Sequence, residues 1–165
     1  MSTLTFVSGD ATRPIGEGPK IIIHCCNDLG LWGSGFVVAI SRRWTKPENE
    51  YRNWARTFED GDRRLPLGGI QLVQVEDDLF VANIIGQRGV GLDDHGRAPV
   101  RYSAIRTGVR KVRARARSHN ASVHMPRMGC GLAGGRWEHI EEIIREELVD
   151  FGIPVTVYDW APDAG

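Results

Sequence analysis

One local arrangement occurs twice in this sequence: an apolar strand, a glycine-rich loop and then a helix. The first copy is the strand Ile21–Cys25 with the loop Asn27–Gly35, and the second is the strand Ser122–Met125 with the loop Gly129–Gly135. Glycines allow successive backbone N–H groups to point at one place, and the following helix adds unpaired N–H groups and a positive dipole end. Two such loops at one edge of a parallel sheet predict a cradle for a diphosphate. The alternative is that the glycines only form tight turns.

Strands alternate with helices along the chain. The predicted strands are Leu4–Val7, Lys20–Cys25, Gly69–Val75, Leu79–Ile85, Ser122–Met125 and Val155–Tyr158, and the predicted helices are Gly33–Trp44, Lys46–Phe58, Val100–Ser118 and Arg136–Phe151. The run Ile21-Ile22-Ile23 is typical of a strand buried on both faces, and the acidic segment 76–78 predicts a hairpin. Residues 86–96 are predicted to form a loop. This order favours an α/β fold with a mostly parallel sheet and helices on both sides.

The composition is that of one ordinary globular domain. The chain has 165 residues, with 21 basic against 21 acidic side chains, and no linker is visible, so we expect a single domain over residues 1–165. A net charge of zero disfavours general binding to nucleic acids, and no apolar run is long enough for a membrane span. The first residues lack the pattern of a signal peptide, and we expect a cytoplasmic protein.

The three cysteines are Cys25, Cys26 and Cys130. An odd number, with two of them adjacent, is a poor disulfide framework and favours a reducing compartment. The C-x-x-C spacing of zinc sites is absent, and His24 beside Cys25 is thin evidence for a metal. We therefore expect three buried or half-buried thiols and no metal site.

The second loop also matches the G-x-G-x-x-G pattern of dinucleotide-binding domains, at Gly129, Gly131 and Gly134. In those domains the pattern lies in the first strand–helix unit, and several more units follow it. Only 30 residues follow Gly135 here. On this ground we do not expect an NAD-dependent dehydrogenase.

Several motifs taken together resemble a macrodomain. They are Gly9-Asp10-Ala11-Thr12, His24-Cys25-Cys26-Asn27, Trp32-Gly33-Ser34-Gly35, the stretch Met125-Pro126-Arg127-Met128-Gly129-Cys130-Gly131-Leu132 before Trp137-Glu138, and the closing Val155-Thr156-Val157-Tyr158. The sequence is most similar to the branch with terminal ADP-ribose protein glycohydrolase and the yeast-type ADP-ribose-1″-phosphate phosphatase, from Phe6 to Trp160. The resemblance implies a three-layer α/β/α domain with a mixed, mostly parallel sheet and ADP-ribose in a cleft across its top.

The same resemblance implies a set of ligand-binding residues. Asp10 would accept a hydrogen bond from the adenine amino group, and Tyr158 or Trp160 would form an aromatic wall near it. The full set is Asp10, Ala11, Asp28, Trp32, Gly33, Ser34, Gly35, Phe36, Arg88, Pro126, Gly129, Cys130, Gly131, Leu132, Ala133, Tyr158 and Trp160. The two glycine loops in this set would hold the diphosphate and the distal ribose from opposite sides.

The glycohydrolase branch uses a lysine and an aspartate that this sequence lacks. Ala133 stands after Gly-Cys-Gly-Leu, and the loop after the fourth strand reads Gly-Gln-Arg-Gly, without a lysine. The candidates to place a water molecule are therefore His24, Asn27 and Gln87. His24 would act as a general acid or base, because its ordinary pKa is near neutrality. A structural role for His24 and a turn role for Asn27 are the alternatives.

A basic stripe precedes an acidic helix. Arg106, Arg110, Arg113 and Arg117 share one face of a predicted helix. Such a face is either solvated or contacts a nucleic-acid backbone. If the glutamate-rich helix over residues 138–150 is its neighbour, the opposite charges would screen each other.

We therefore predict an ADP-ribose-binding hydrolase that removes mono-ADP-ribosyl groups, ester-linked to Glu or Asp or, as a further option, linked to a nucleobase. The carboxylate leaves easily, so a water molecule held by the substrate's own diphosphate and stabilised by loop N–H groups would suffice. Two alternatives stay open: an ADP-ribose-1″-phosphate phosphatase, for which His24 is the best candidate residue, and a non-catalytic ADP-ribose reader. The expected partners of this monomer are ADP-ribose and a mono-ADP-ribosylated protein or DNA, and no cofactor is expected.

Overall fold

Six strands form one mixed sheet in the computed structural model, which describes residues 3–58 and 64–160. The strands are β1 (Leu4–Gly9), β2 (Lys20–Asn27), β3 (Ile70–Glu76), β4 (Leu79–Gln87), β5 (Ser122–Met125) and β6 (Val155–Trp160). The helices are α1 (Phe36–Arg43), α2 (Lys46–Arg56), α3 (Tyr102–His119) and α4 (Trp137–Glu147), and a 3₁₀ turn follows at Val149–Phe151. The strand order is β1-β6-β5-β2-β4-β3. Every neighbouring pair is parallel except β3 and β4, which form the predicted hairpin.

Helices cover both faces of the sheet. Ile21 and Ile23 of β2 are fully buried in the apolar cluster that contains residues of α3 and α4. Ile22 lies on the other face and packs in the cluster that contains residues of α1 and α2. The predicted three-layer α/β/α fold is thus confirmed, with β2 buried on both faces. No helix in the described parts of the chain is both long and apolar enough to span a bilayer.

The carboxyl ends of β2, β4 and β5 lie at one edge of the sheet, because β2 pairs in parallel with both of its neighbours. The loop after β2 leads into α1, and the loop after β5 leads into α4. Both glycine-rich loops therefore leave the same edge, as the sequence predicted.

The strand β4 extends further than predicted. It runs to Gln87 instead of ending at Ile85, and Gln87 pairs with Asn27 of β2. Only glycine fits at position 86, because a Cβ there would lie 2.7 Å from the Cys25 sulfur. Gln87 is thus a strand-end residue with a fixed backbone and not part of a loop.

Two predicted helices are shorter than expected. The first begins at Phe36 and not at Gly33, since Gly35 has a φ of 84°, outside the helical region. The predicted helix 136–151 ends at Glu147, because Leu148 adopts a non-helical backbone before the 3₁₀ turn. The remaining boundaries lie within two residues of those predicted.

Candidate functional site

A groove opens between the two glycine-rich loops. It consists of two adjoining cavities of about 180 and 250 Å³. The first is lined by His24, Cys25, Ser34, Gly35, Phe36, Val37, Gln87, Pro126, Arg127, Met128, Gly129, Cys130, Gly131, Leu132 and Ala133. The second is lined by Cys25, Cys26, Asn27, Leu31, Gly33, Ser34, Val37, Gln87, Val90 and Leu132. Most of the predicted ligand residues therefore border one groove, and seven do not: Asp10, Ala11, Asp28, Trp32, Arg88, Tyr158 and Trp160.

The glycines of the loops fall into two groups. A Cβ added at Gly33, Gly35 or Gly131 would meet no other atom within 4 Å, so the space in front of these residues is open. A Cβ at Gly30 would lie 2.5 Å from the Cβ of Ala55. Glycine is thus required by close packing at Gly30, whereas no protein atom requires it at Gly33, Gly35 and Gly131. The open glycines border the groove, where they leave room for a ligand to approach the backbone.

Gln87 lines both cavities at the end of β4. Its side-chain Nε2 donates to the Gly89 carbonyl oxygen at 3.0 Å. The Cys25 thiol donates to Gln87 Oε1 at 3.9 Å, and Cys25 also borders both cavities. The side-chain amide of Gln87 is therefore oriented by Gly89, with its carbonyl oxygen available as an acceptor in the groove.

Asp28 lies outside the groove, next to Gln87 and Gly89. Its side chain has no exposed surface; Oδ1 accepts the Gly89 N–H at 2.8 Å and lies 3.4 Å from Nη1 of Arg64. Nη1 of Arg88 lies 3.7 Å from Oδ2, and the Asp28 N–H donates to the Gln87 carbonyl oxygen at 3.1 Å. Asp28 was expected to contact the ligand, but its carboxylate is buried between loops and does not border the groove. Arg88 is half-exposed beside it and does not border the groove.

The amide of Asn27 is used within its own loop. Its Nδ2 donates to the Leu31 carbonyl oxygen at 2.7 Å, and Oδ1 accepts the N–H groups of Leu29 and Leu31. The Tyr51 hydroxyl also lies 2.9 Å from Oδ1. Asn27 thus shapes the first glycine loop, which is the turn role that the sequence left open, and its polar atoms are already paired.

His24 is a core histidine at the border of the first cavity. It is 2% exposed, and Nε2 lies 2.6 Å from Oδ1 of Asn83. The Asn83 Nδ2 donates to other oxygens, so Oδ1 accepts and His24 Nε2 carries the proton. Burial lowers the pKa of His24 to about 4, although the hydrogen bond with Asn83 raises it. The imidazole is therefore neutral at pH 7, and its Nε2 proton is donated to Asn83 of β4. This arrangement favours a structural role for His24 over a catalytic one.

Trp32 belongs to the first glycine-rich loop, and its side chain packs in the core. The residue is 6% exposed; its ring packs edge-on against His24 at 5.5 Å between centroids, and its Nε1 donates to Ser41 Oγ at 2.8 Å. Trp32 was expected to contact the ligand, but it lies in the core under α1 and α2. It therefore positions the neighbouring Gly33 and does not border the groove.

The cysteines of the groove are free thiols and poor nucleophiles. Burial raises the pKa of Cys25 to about 12 and also raises the pKa of Cys130. Cys26 is buried deeper still. Because the thiolate is the reactive form, none of these groups is activated at neutral pH. The described residues that line the groove include no aspartate or glutamate.

Asp10 and Trp160 lie at the outer edge of the same sheet end. Trp160 pairs in register with Gly9, and the residue is 62% exposed. Oδ1 of Asp10 accepts the N–H and hydroxyl of Thr12 at 2.8 and 2.7 Å. Ala11 beside it is buried. These residues are outside the two cavities and lie at the carboxyl ends of the paired strands β1 and β6 or directly after β1.

Tyr158 is an anchor and not an aromatic wall. It is 3% exposed; its hydroxyl accepts the Ile15 N–H at 2.9 Å and lies 2.7 Å from Nδ1 of His124. Nε2 of His124 lies 2.7 Å from Ser122 Oγ. This buried chain holds the segment after β1, and the sequence analysis missed it because the strand pattern does not show which residues meet across strands.

Arg127 is a groove residue that the sequence analysis also missed. Its guanidinium pairs with Asp159 through two bonds of 2.6 and 3.1 Å and lies 4.9 Å from the ring centroid of Trp137 and 5.2 Å from that of Phe6. It lies two residues before the second glycine loop, and this position was the signal that could have identified it.

The arginine face of α3 packs against α4 and the 3₁₀ turn, so the neighbouring position of the two helices, which the sequence analysis left as a condition, is met. Arg106 pairs with Glu146 at 2.8 Å, and Arg110 pairs with Glu147. The Arg113 guanidinium lies 3.7 Å above the ring of Phe151. The basic stripe is thus largely neutralised within the molecule.

Comparison with known proteins decides the family. No protein-family model matches the chain. The structure of a macrodomain protein from Streptomyces coelicolor is 50% identical, covers 95% of this chain and 99% of that chain, and superposes with a TM-score of 0.82. This chain belongs to the macrodomain family. A protein of unknown function from Bacteroides thetaiotaomicron is 51% identical with a TM-score of 0.91, over 96% of this chain and 98% of that chain.

More distant similarities extend to two proteins by sequence and to two by structure. Chromodomain-helicase-DNA-binding protein 1-like of Mus musculus is 31% identical over 95% of this macrodomain, which spans only 18% of that protein. The ADP-ribose 1″-phosphate phosphatase of Saccharomyces cerevisiae is 22% identical, over 94% of this chain and 98% of the phosphatase. The DarG macrodomain of Mycobacterium tuberculosis has a TM-score of 0.75 at 21% identity, over 96% of this chain and 98% of that chain. Thermosipho africanus DarTG, solved in complex with ADP-ribose, has a TM-score of 0.67 at 16% identity, over 88% of this chain and 39% of that chain.

Proposed function

We propose that this macrodomain binds ADP-ribose in its groove and hydrolyses mono-ADP-ribosyl esters of Glu or Asp side chains. A nucleobase-linked modification is a second substrate of the same kind. Two findings support ADP-ribose as the ligand: Thermosipho africanus DarTG was solved in complex with it, and the yeast relative is named as an ADP-ribose 1″-phosphate phosphatase.

The observation that carries the proposal is the pair of open glycine loops. Gly35 and Gly131 border the same cavity from opposite sides, and no atom occupies the space that their side chains would fill. Backbone N–H groups can therefore approach the oxygens of a diphosphate without steric obstruction. A helix begins shortly after each loop, and its positive dipole end favours the same anion.

The groove residues favour a substrate-assisted reaction. The described residues that line the groove include no carboxylate, no reactive thiolate and no charged imidazole. Gln87, by contrast, has a side-chain carbonyl oxygen whose position is fixed by the bond to Gly89. A water molecule hydrogen-bonded to Gln87 Oε1 and to the substrate diphosphate would attack C1″ of the distal ribose. Its oxygen forms the new bond to C1″, the bond from C1″ to the ester oxygen breaks, and the side-chain carboxylate leaves with the electron pair. The proton of the water passes to the diphosphate and then to solvent.

This lining favours ester hydrolysis over the phosphatase alternative. A carboxylate is a good leaving group. Orientation of the attacking water and hydrogen bonds from loop N–H groups therefore supply most of the rate acceleration that ester hydrolysis requires. Hydrolysis of a phosphate monoester has a far higher barrier. His24 was the main argument for that reaction, and its proton is held by Asn83.

The test is release of free ADP-ribose from a protein that carries glutamate-linked mono-ADP-ribose. We expect release by the wild type, a loss of about tenfold or more in kcat for Gln87→Ala, and little change in ADP-ribose affinity. The matched control is Gln74→Ala on strand β3, which should behave as wild type. ADP-ribose binding without release over hours would contradict the hydrolase and leave a reader, and phosphate release from ADP-ribose 1″-phosphate would favour the phosphatase.

A further inference from the structure

Asp28 and Gln87 are joined by a closed ring of three hydrogen bonds. The Asp28 backbone N–H donates to the Gln87 carbonyl oxygen at 3.1 Å. Oδ1 of Asp28 accepts the Gly89 N–H at 2.8 Å, and the Gly89 carbonyl oxygen accepts a proton from the Gln87 side-chain Nε2 at 3.0 Å. Asp28 therefore holds Gln87 at its backbone and, through Gly89, at its side-chain amide.

The pairing of β2 with β4 is irregular where this ring begins. Cys26 of β2 lies opposite Ile85 of β4. The next pair is Asn27 with Gln87, so position 86 is an extra residue in β4. An extra residue in one strand redirects the side chains beside it and is common next to functional sites. The backbone thus sets the direction from which Gln87 reaches the groove.

Gly89 connects the two side chains through its own peptide groups. Its φ is 70°, a left-handed conformation that favours glycine. In this conformation its N–H meets the Asp28 carboxylate while its carbonyl oxygen meets the Gln87 amide. A movement of the Asp28 carboxylate is therefore passed to the Gln87 amide by one residue.

The carboxylate of Asp28 is costly to bury at this place. Its side chain has no exposed surface, and Arg64 and Arg88 approach it at 3.4 and 3.7 Å. Among the residues that the structure describes, Oδ2 of Asp28 is the one buried side-chain oxygen or nitrogen without a hydrogen-bond partner. Burial of an incompletely paired carboxylate costs free energy of folding. Such a group calls for a functional explanation, and the ring supplies one because it ends at a residue of the groove.

We infer that Asp28 is a positioning residue for the reaction in the groove and acts through Gly89 on the side-chain amide of Gln87. Without the carboxylate, the Gly89 N–H loses its acceptor, the turn at Gly89 is released and the Gln87 amide can rotate. Oε1 of Gln87 would then no longer face the attacking water. This inference rests on the proposed function, because it requires Gln87 to orient that water.

The test is a double-mutant cycle of Asp28→Ala and Gln87→Ala, measured as release of ADP-ribose from the glutamate-linked substrate. We expect Asp28→Ala to lower kcat about fivefold, with KM and the Kd of ADP-ribose within about twofold of the wild type. In the Gln87→Ala background, the same change should not lower kcat further, because the amide on which Asp28 acts is gone. Asp28→Asn keeps an acceptor oxygen for the Gly89 N–H and should retain most of the wild-type kcat.

The matched control for lost stability is Val112→Ala, because Val112 is fully buried in α3 and takes no part in the ring. This variant loses packing in the core and should keep the wild-type kcat.

A second measurement requires neither turnover nor a folded Asp28 variant. In nuclear magnetic resonance spectra of the wild type, one Gln87 side-chain amide proton should exchange slowly with water, because Gly89 accepts it. The spectrum of Gln87→Ala assigns that signal. In Asp28→Ala the same proton should exchange faster.

The outcomes separate this inference from the proposed function. A wild-type kcat in Asp28→Ala, the same fold-loss in the Gln87→Ala background, or an equal loss in Val112→Ala would each overturn the positioning role while hydrolysis stands. Fast exchange of both Gln87 amide protons in the wild type would overturn it as well, whether or not Asp28→Ala folds. Absence of ADP-ribose release by the wild type would overturn the proposed hydrolysis and, with it, the role of Asp28 in that reaction.

Discussion

Replacement of Gly131 by alanine tests whether the open glycines hold a ligand. The backbone at Gly131 is outside the left-handed region, and the added Cβ would meet no protein atom within 4 Å. The variant should therefore fold as well as the wild type, with the free energy of unfolding unchanged or raised by about 0.4–1 kcal/mol. The new methyl group would, however, occupy the space through which loop N–H groups approach a phosphate oxygen.

The expected loss is that of one hydrogen bond to a charged group, about 1.5–3 kcal/mol, which corresponds to an ADP-ribose Kd raised about 10- to 150-fold. Titration calorimetry with ADP-ribose measures this change, and thermal unfolding checks the fold. The matched control is Gly91→Ala, where a Cβ is equally unobstructed and the residue does not border the groove. Wild-type affinity in Gly131→Ala, or equal losses in both variants, would refute the reasoning.

Three further predictions concern stability. Gly135→Ala places a methyl group 2.3 Å from the Gly129 carbonyl oxygen, so urea titration should show a loss of about 1–3 kcal/mol or more, and a wild-type midpoint would contradict this. Asp28→Ala removes the acceptor of the Gly89 N–H and should cost about 1–3 kcal/mol, whereas Asp28→Asn keeps an acceptor oxygen and should cost less. Burial lowers the pKa of His24 from 6.5 to about 4, so the unfolded state binds more protons between these values. The contribution of His24 to stability should therefore fall as the pH drops through this window, by roughly 2 kcal/mol at pH 5, and His24→Asn should remove that contribution while the similar one of His124 remains.

The sheet and the groove could be predicted because their signals are local. The run Ile21–Ile23 marks a strand buried on both faces, and each glycine loop follows its strand directly in the chain. Parallel strands put such loops at one edge, so the two walls of the groove followed from pattern alone. The residues that border the groove are accordingly those adjacent to the loops.

The individual roles of side chains depend on contacts between distant segments. His24 faces Asn83 because the two pair in register across β2 and β4, and no local pattern shows that pairing. Asp28 is buried because Arg64 and Gly89, which are 36 and 61 residues further along the chain, pack over its carboxylate. Tyr158 lies beneath the segment after β1 for the same reason. The sequence also does not distinguish Gly30, which packs on Ala55, from Gly33, which is open.

The most direct test of the central claim is ADP-ribose release in water labelled with heavy oxygen, using the glutamate-linked substrate. Water attack at C1″ within the groove predicts that ADP-ribose is released and that the glutamate carboxylate carries no label. Label in the glutamate carboxylate would place the attack on the ester carbonyl and contradict the account, and so would the absence of any release.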